Sequence, residues 1–223
     1  MKLTKRNMTK GFTLVELLVV IAIIAALAAM ATPVIMKQNK KAAMTEATSN
    51  AKQIFYLLIE FDQDYGEFPS DATAVDDLSG YTGSTSNDYL AQLIQGGLTK
   101  SEEIFYAKGG ASTNKKPDNV ITNQTDQLAK GECGFAYIKN QSTSDNSGRP
   151  ILMAPFDTGE AFKPDPYDGK CVVLRIDGAV KQLLLDRDDN KAKIGGGKTL
   201  LDTGTDTVWG TSGFVSADLV PAE

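Results

Sequence analysis

Apolar residues crowd one end of the chain. From Leu17 to Ala31 fifteen of them follow without interruption. Extending the run to Phe12 and Met36 gives 25 residues broken only by Thr13, Glu16, Thr32 and Pro33. About 20 helical residues cross a bilayer core, so 12–36 is expected to be a transmembrane helix. Lys2, Lys5, Arg6 and Lys10 precede it without an acid. Such a basic flank stays in the cytoplasm, which puts the rest of the chain on the other side. After the polar stretch Lys37–Lys41 the pattern changes. Ala47, Ala51, Ile54, Leu58, Phe61 and Tyr65 recur at steps of four and three, the stripe of an amphipathic helix. Gly66 and Pro69 end it. One helix is therefore expected over 12–65, apolar all round in 12–36 and one-sided in 37–65. Pro33 removes a backbone hydrogen bond and crowds the carbonyl of Ala29, so a kink is expected there.

Residues 66–223 have the length of one ordinary domain. A short helix is expected from Asn87 to Ile94, closed by Gly96-Gly97. Residues 102–109 read as a short turn or strand and 108–127 as a polar loop. The last part reads as sheet. Strands are expected in 134–140, in 149–156 despite Pro150 and Pro155, and in 170–186. The last of these splits into Cys171–Ile176, a two-residue Asp177-Gly178 turn, and Ala179–Leu185. The fold class is α+β: a long N-terminal helix whose amphipathic half packs on a small antiparallel sheet.

Glu16 stands out because a carboxylate in an apolar membrane segment is costly. A conventional secretory signal, cut at Ala29-Met30-Ala31 so that the mature chain starts at Thr32, fits the basic and apolar regions. An uncleaved signal anchor fits equally. Either would make the product an exported or membrane-anchored binding protein or enzyme. Both leave Glu16 without a use. The run Lys10, Gly11, Phe12, Thr13, Leu14, Val15, Glu16, Leu17 resembles the class III signal of type IV prepilins and type II secretion pseudopilins. That resemblance implies a leader, 1–11, cut after Gly11 by a prepilin peptidase, and N-methylation of Phe12. It implies that the Phe12 amine pairs with Glu16 in a neighbouring subunit, and that the domain has a pilin architecture. The partners it implies are further copies, other pilins, the peptidase and an inner-membrane assembly platform. The subunit would sit in the inner membrane with its domain outside the cytoplasm, then in a filament. Pro33 falls at the mature position where many pilins carry proline. "DQDYGEFPSD" (62–71) is similar to the helix exit of the family. Pilus against pseudopilus, and major against minor subunit, stay open.

The remaining chemistry narrows the function further. With no histidine in the chain, His-based triads, His-ligated zinc and His acid–base catalysis are excluded. Formal charge is −5, and beyond the leader 19 basic residues face 28 acidic ones, which argues against a nucleic-acid surface. Paired acids such as Asp76 and Asp77 lack any hydrolase context, and an enzyme is not expected. No cofactor is expected beyond calcium. Asp186, Asp188 and Asn190 take positions 1, 3 and 5 of an EF-hand-like loop, but Lys191 replaces its glycine and Gly197 its glutamate. The family's major pseudopilins hold calcium in a C-terminal loop, but the sequence around that loop is not recognisable here, and a solvated acidic turn after a strand is the alternative. "IGGGKT" (194–199) lacks the earlier glycine of a phosphate loop and reads as a turn. Trp209 reads as packing on the sheet. Cys133 and Cys171 are compatible with one disulfide and with two buried thiols.

Overall fold

The computed structural model describes residues 12–75, 78–109, 115–211 and 213–223. Lys10, Gly11 and the rest of the leader, and the pair Asp76 and Asp77, lie outside them. The chain forms two compact units, 1–39 and 40–223. Helix α1, Leu14–Tyr65, runs through Pro33. In the first unit every described residue is exposed. Thr32 Oγ1 donates to the Ala28 carbonyl at 2.8 Å, beside the Ala29 carbonyl whose amide partner the proline lacks.

In the second unit α1 buries Ala43, Met44, Ala47, Ala51, Ile54, Leu58 and Phe61. That is the expected stripe with one exception: Tyr65 stays 42% exposed and stacks on Phe61 at 4.3 Å. Burying each large member contributes about 1.5–3 kcal/mol, so this half of the helix is held by packing. Gly66 ends it in the left-handed region at φ +85, its amide on the Asp62 carbonyl at 2.8 Å, a conformation glycine adopts without strain. Helix α2, Ser86–Gln95, starts where Asp88 Oδ2 accepts from both the amide and hydroxyl of Thr85, at 3.0 and 2.7 Å. The stretch 102–109 forms one 3-10 turn, Glu103–Phe105.

The main sheet uses β1 (Ala136–Ile138), β2 (Pro150–Ala154), β3 (Lys170–Arg175) and β4 (Val180–Leu184). Strands β5 (Lys193–Gly195) and β6 (Lys198–Thr199) form a separate hairpin, and β7 (Leu219–Val220) rejoins the main sheet. Its order is β4-β3-β2-β1-β7, antiparallel throughout. The β3–β4 turn is one residue longer than expected. Ile176, Asp177 and Gly178 lie between Arg175 and Ala179, whose backbones bond at 3.1 Å. Gly178 at φ +74 gives a type I turn with a glycine bulge. A side chain there would collide with Phe55 of α1 at 2.5 Å, and Lys52 Nζ caps the Gly178 carbonyl at 2.8 Å. Gly196-Gly197, both at positive φ, make the tight β5–β6 turn inside "IGGGKT".

Strands β1, β2 and β3 are buried on both faces, while the edge strand β4 has no buried residue. Tyr137, Leu152, Ala154, Val172 and Leu174 join α1 and α2 in one cluster. Ala136, Ile138, Met153, Cys171 and Val173 face a second, closed by Phe156, Phe162, Leu200, Leu201 and Trp209. The alternation is that of strands. It slips only at the bulge between Pro150 and Leu152, where Ile151 and Leu152 share the helix-side cluster.

That alternation decides the cysteines. Cys133 lies in the helix-side cluster and Cys171 in the other; both are free and buried. The disulfide alternative is thereby corrected: the sheet separates the two sulfurs. Burial pushes the thiols up, to about 11 for Cys133 and about 12 for Cys171, so neither is a ready nucleophile. Maleimide is expected to leave the native chain unmodified. It should add two labels after unfolding without reductant, whereas a bridge would give none.

Candidate functional site

The first turn of α1 is built by Thr13 and Glu16. Thr13 precedes the first helical residue, and Glu16 is the third within the helix. Glu16 Oε2 accepts from the Thr13 amide at 2.9 Å and from its hydroxyl at 2.6 Å. The Glu16 amide in turn donates to Thr13 Oγ1 at 3.3 Å. This reciprocal arrangement is a capping box, which satisfies backbone donors that a helix start leaves free. The carboxylate also sits at the positive end of the helix dipole. Part of the burden of carrying an acid here is thus offset within the chain. No bond to Glu16 Oε1 is present among the described residues, so one oxygen caps the helix while the other is left open. Thr13 was not singled out in the sequence, although Thr-x-x-Glu ahead of an apolar run is the signature of such a cap.

Behind the cap, α1 is long and apolar enough to cross a membrane, with mean hydropathy 2.8 over its most apolar 18 residues and none of that window buried. Phe12 is 82% exposed. So large an apolar surface marks a membrane or protein contact.

The other candidate residues are not brought to this site. Asp186 lies in a tight turn closed by its own amide on the Lys191 carbonyl at 2.8 Å. Its Oδ1 accepts from the Asp188 amide at 2.9 Å, and its Oδ2 pairs with Lys193 at 2.5 Å. Those contacts hold its carboxyl below the usual range. Asn190 takes the left-handed position, φ +55. Both Asp186 oxygens are thus engaged within the turn, one by the Asp188 amide and one by Lys193. Trp209 is buried, donating to the Leu200 carbonyl at 3.1 Å and tilted against Phe214 with ring centroids 4.9 Å apart. It packs, as expected.

Residues 6–32 match the family model described as the prokaryotic N-terminal methylation motif. A fimbrial protein of Neisseria meningitidis serogroup B is 31% identical over 138 residues, 62% of this chain and 71% of the relative. The type IV major fimbrial protein FimA of Dichelobacter nodosus is 32% identical over 156 residues, covering 62% and 90%. A type IV major pilin protein, PilE1 of Neisseria gonorrhoeae, is 29% identical over 164 residues, covering 74% and 88%. No solved structure matches. The relatives extend well past the motif, into the unit that carries the sheet, and with them the chain belongs to the type IV pilin family.

Proposed function

We propose that this chain is a structural subunit of a type IV pilus, made as a membrane-anchored precursor and polymerised through the N-terminal part of α1. The observation that carries this is the capped, acid-bearing start of the apolar, wholly exposed N-terminal stretch of α1. The precursor waits in the inner membrane, leader in the cytoplasm and residues 40–223 outside. A prepilin peptidase cuts after Gly11 and methylates the Phe12 nitrogen, which stays cationic. In the filament that amine meets Glu16 of a neighbour. A paired charge offsets much of the desolvation that an apolar core imposes, and a slipped neighbour leaves two unpaired charges. The pairing thus sets register. Extraction exchanges lipid for protein around helices equally apolar in both settings, and a kink at Pro33 lets α1 adjust between them. Residues 40–223 coat the outside. Copies of the chain, other pilins, the peptidase and an assembly platform are its partners, and its role is structural rather than enzymatic.

The names of the relatives support a pilus over a secretion pseudopilus. The experiment is to shear filaments from the cell surface and determine the first residue of the subunit within them and its modification.

A further inference from the structure

We propose that Glu102, Asp118 and Glu132 form a calcium site in the unit that carries the sheet. They come from three separate segments: the residue before the 3-10 turn, the loop that follows it, and the approach to β1. One oxygen from each lies within 4.8 Å of the other two. Glu102 and Glu132 are wholly buried.

The backbone holds all three in place. Glu102 Oε1 accepts from the Leu128 amide at 2.8 Å, Glu132 Oε2 from the Ala129 amide at 2.9 Å, and Asp118 Oδ1 from the Val120 amide at 2.9 Å. Asn119 Oδ1 accepts from the Glu102 amide at 2.8 Å, tying two of the segments together. Each carboxylate is left with one oxygen. Glu102 Oε2 is buried and has no partner. Glu132 Oε1 meets the Lys115 ammonium at 2.9 Å, close enough to pair but outside hydrogen-bond geometry. Asp118 Oδ2 is 3.9 Å from the same ammonium. One half-exposed lysine thus faces three carboxylates, two of them removed from water. A buried carboxylate oxygen without a partner is disfavoured, and one ammonium leaves the group short of positive charge.

A divalent cation supplies what is missing. The donors are all carboxylate oxygen, which selects a hard ion over zinc or copper. Oxygens that all lie within 4.8 Å of one another can share one ion with bonds of about 2.4 Å, the calcium range. Calcium accepts irregular geometry and fills its shell with water, which enters on the side where Lys115 and Asp118 are exposed (52% and 54%). Lys115 then swings into solvent. The ion would cross-link the loop to both ends of the segment running into β1.

The test is thermal unfolding of the full chain in detergent, with calcium chloride and then with chelator. Calcium about a hundredfold above its dissociation constant is expected to raise Tm by about 5–10 °C, reversed by the chelator. Glu102→Gln keeps the Leu128 bond and removes the unpaired charge. It is expected to leave the metal-free Tm no lower and to abolish the response. Lys115→Gln removes the competing ammonium and is expected to shift the response to about tenfold lower calcium. A wild-type Tm indifferent to calcium and chelator, with Lys115→Gln equally indifferent, overturns the site. So does an undiminished response in Glu102→Gln, which would place the ion elsewhere.

Discussion

Glu16→Ala is expected to abolish surface filaments while the processed chain accumulates in the membrane. The substitution removes one charge from an apolar segment, so insertion is not impaired. On the proposed pairing it leaves the Phe12 amine of each neighbour without a counter-charge. Breaking a buried pair by deleting one member costs about 3–5 kcal/mol, more than a hundredfold on every addition step. The same carboxylate also closes the capping box with Thr13, and the two roles separate by substitution. Glu16→Gln retains a side chain that can cap but carries no charge, and is expected to fail in assembly as Glu16→Ala does. Thr13→Val removes the cap and leaves the charge. It is expected to weaken the helix start by about 1 kcal/mol and still allow filaments. Normal filaments from Glu16→Gln would reduce Glu16 to a helix cap.

Gly134→Ala is expected to unfold the unit that carries the sheet more severely than any other single methyl addition at a glycine without positive φ. Gly134 lies between Cys133 and Phe135 on the way into β1, its amide on the Phe105 carbonyl at 3.0 Å. A methyl there would sit 1.9 Å from the Ala107 carbonyl oxygen and 2.5 Å from the Ala107 nitrogen. Both are backbone atoms, so no rotamer relieves the overlap; either the 105–107 segment or the entry to β1 must move. Overpacking costs about 1–3 kcal/mol when side chains can give way, and a backbone collision is expected to exceed that range. The readout is a fall in Tm of about 10 °C or more. Gly66→Ala is the contrast. It meets nothing within 4 Å but is held at φ +85, so it is expected to lose only about 1–2 kcal/mol, through left-handed backbone strain. Equal stability losses in the two variants would contradict the close packing of 105–107 on Gly134.

Periodicity in the sequence reaches some of these features and not others. The stripe from Ala47 to Phe61 is readable because a helix repeats its buried positions every three or four residues, and all its predicted members but Tyr65 are buried. The β3–β4 hairpin is readable from β-branched residues around Asp177-Gly178. Its extra loop residue is not, because Asp-Gly serves both turn lengths. Strand β7, at Leu219–Val220, is too short for any period to register. The second buried face has no periodic signature, because its cover, from Phe156 to Trp209, comes from irregular segments. At the candidate site, Phe12 and Glu16 are legible from one local motif, and Thr13 belonged to a second local motif in the same residues. Glu102 and Glu132 are 30 positions apart, and only the folded loops bring them together. The cysteines turn on which side of the sheet each falls, which residue spacing does not reveal when one of them precedes its strand.

The most direct test of the central claim is the mass of the N-terminal peptide of the subunit taken from sheared filaments. A peptide that begins at N-methylated Phe12 is the expected result, since the proposed assembly chemistry rests on a cationic amine paired with Glu16. A chain that begins at Thr32, or that retains residues 1–11 within the filament, would contradict it.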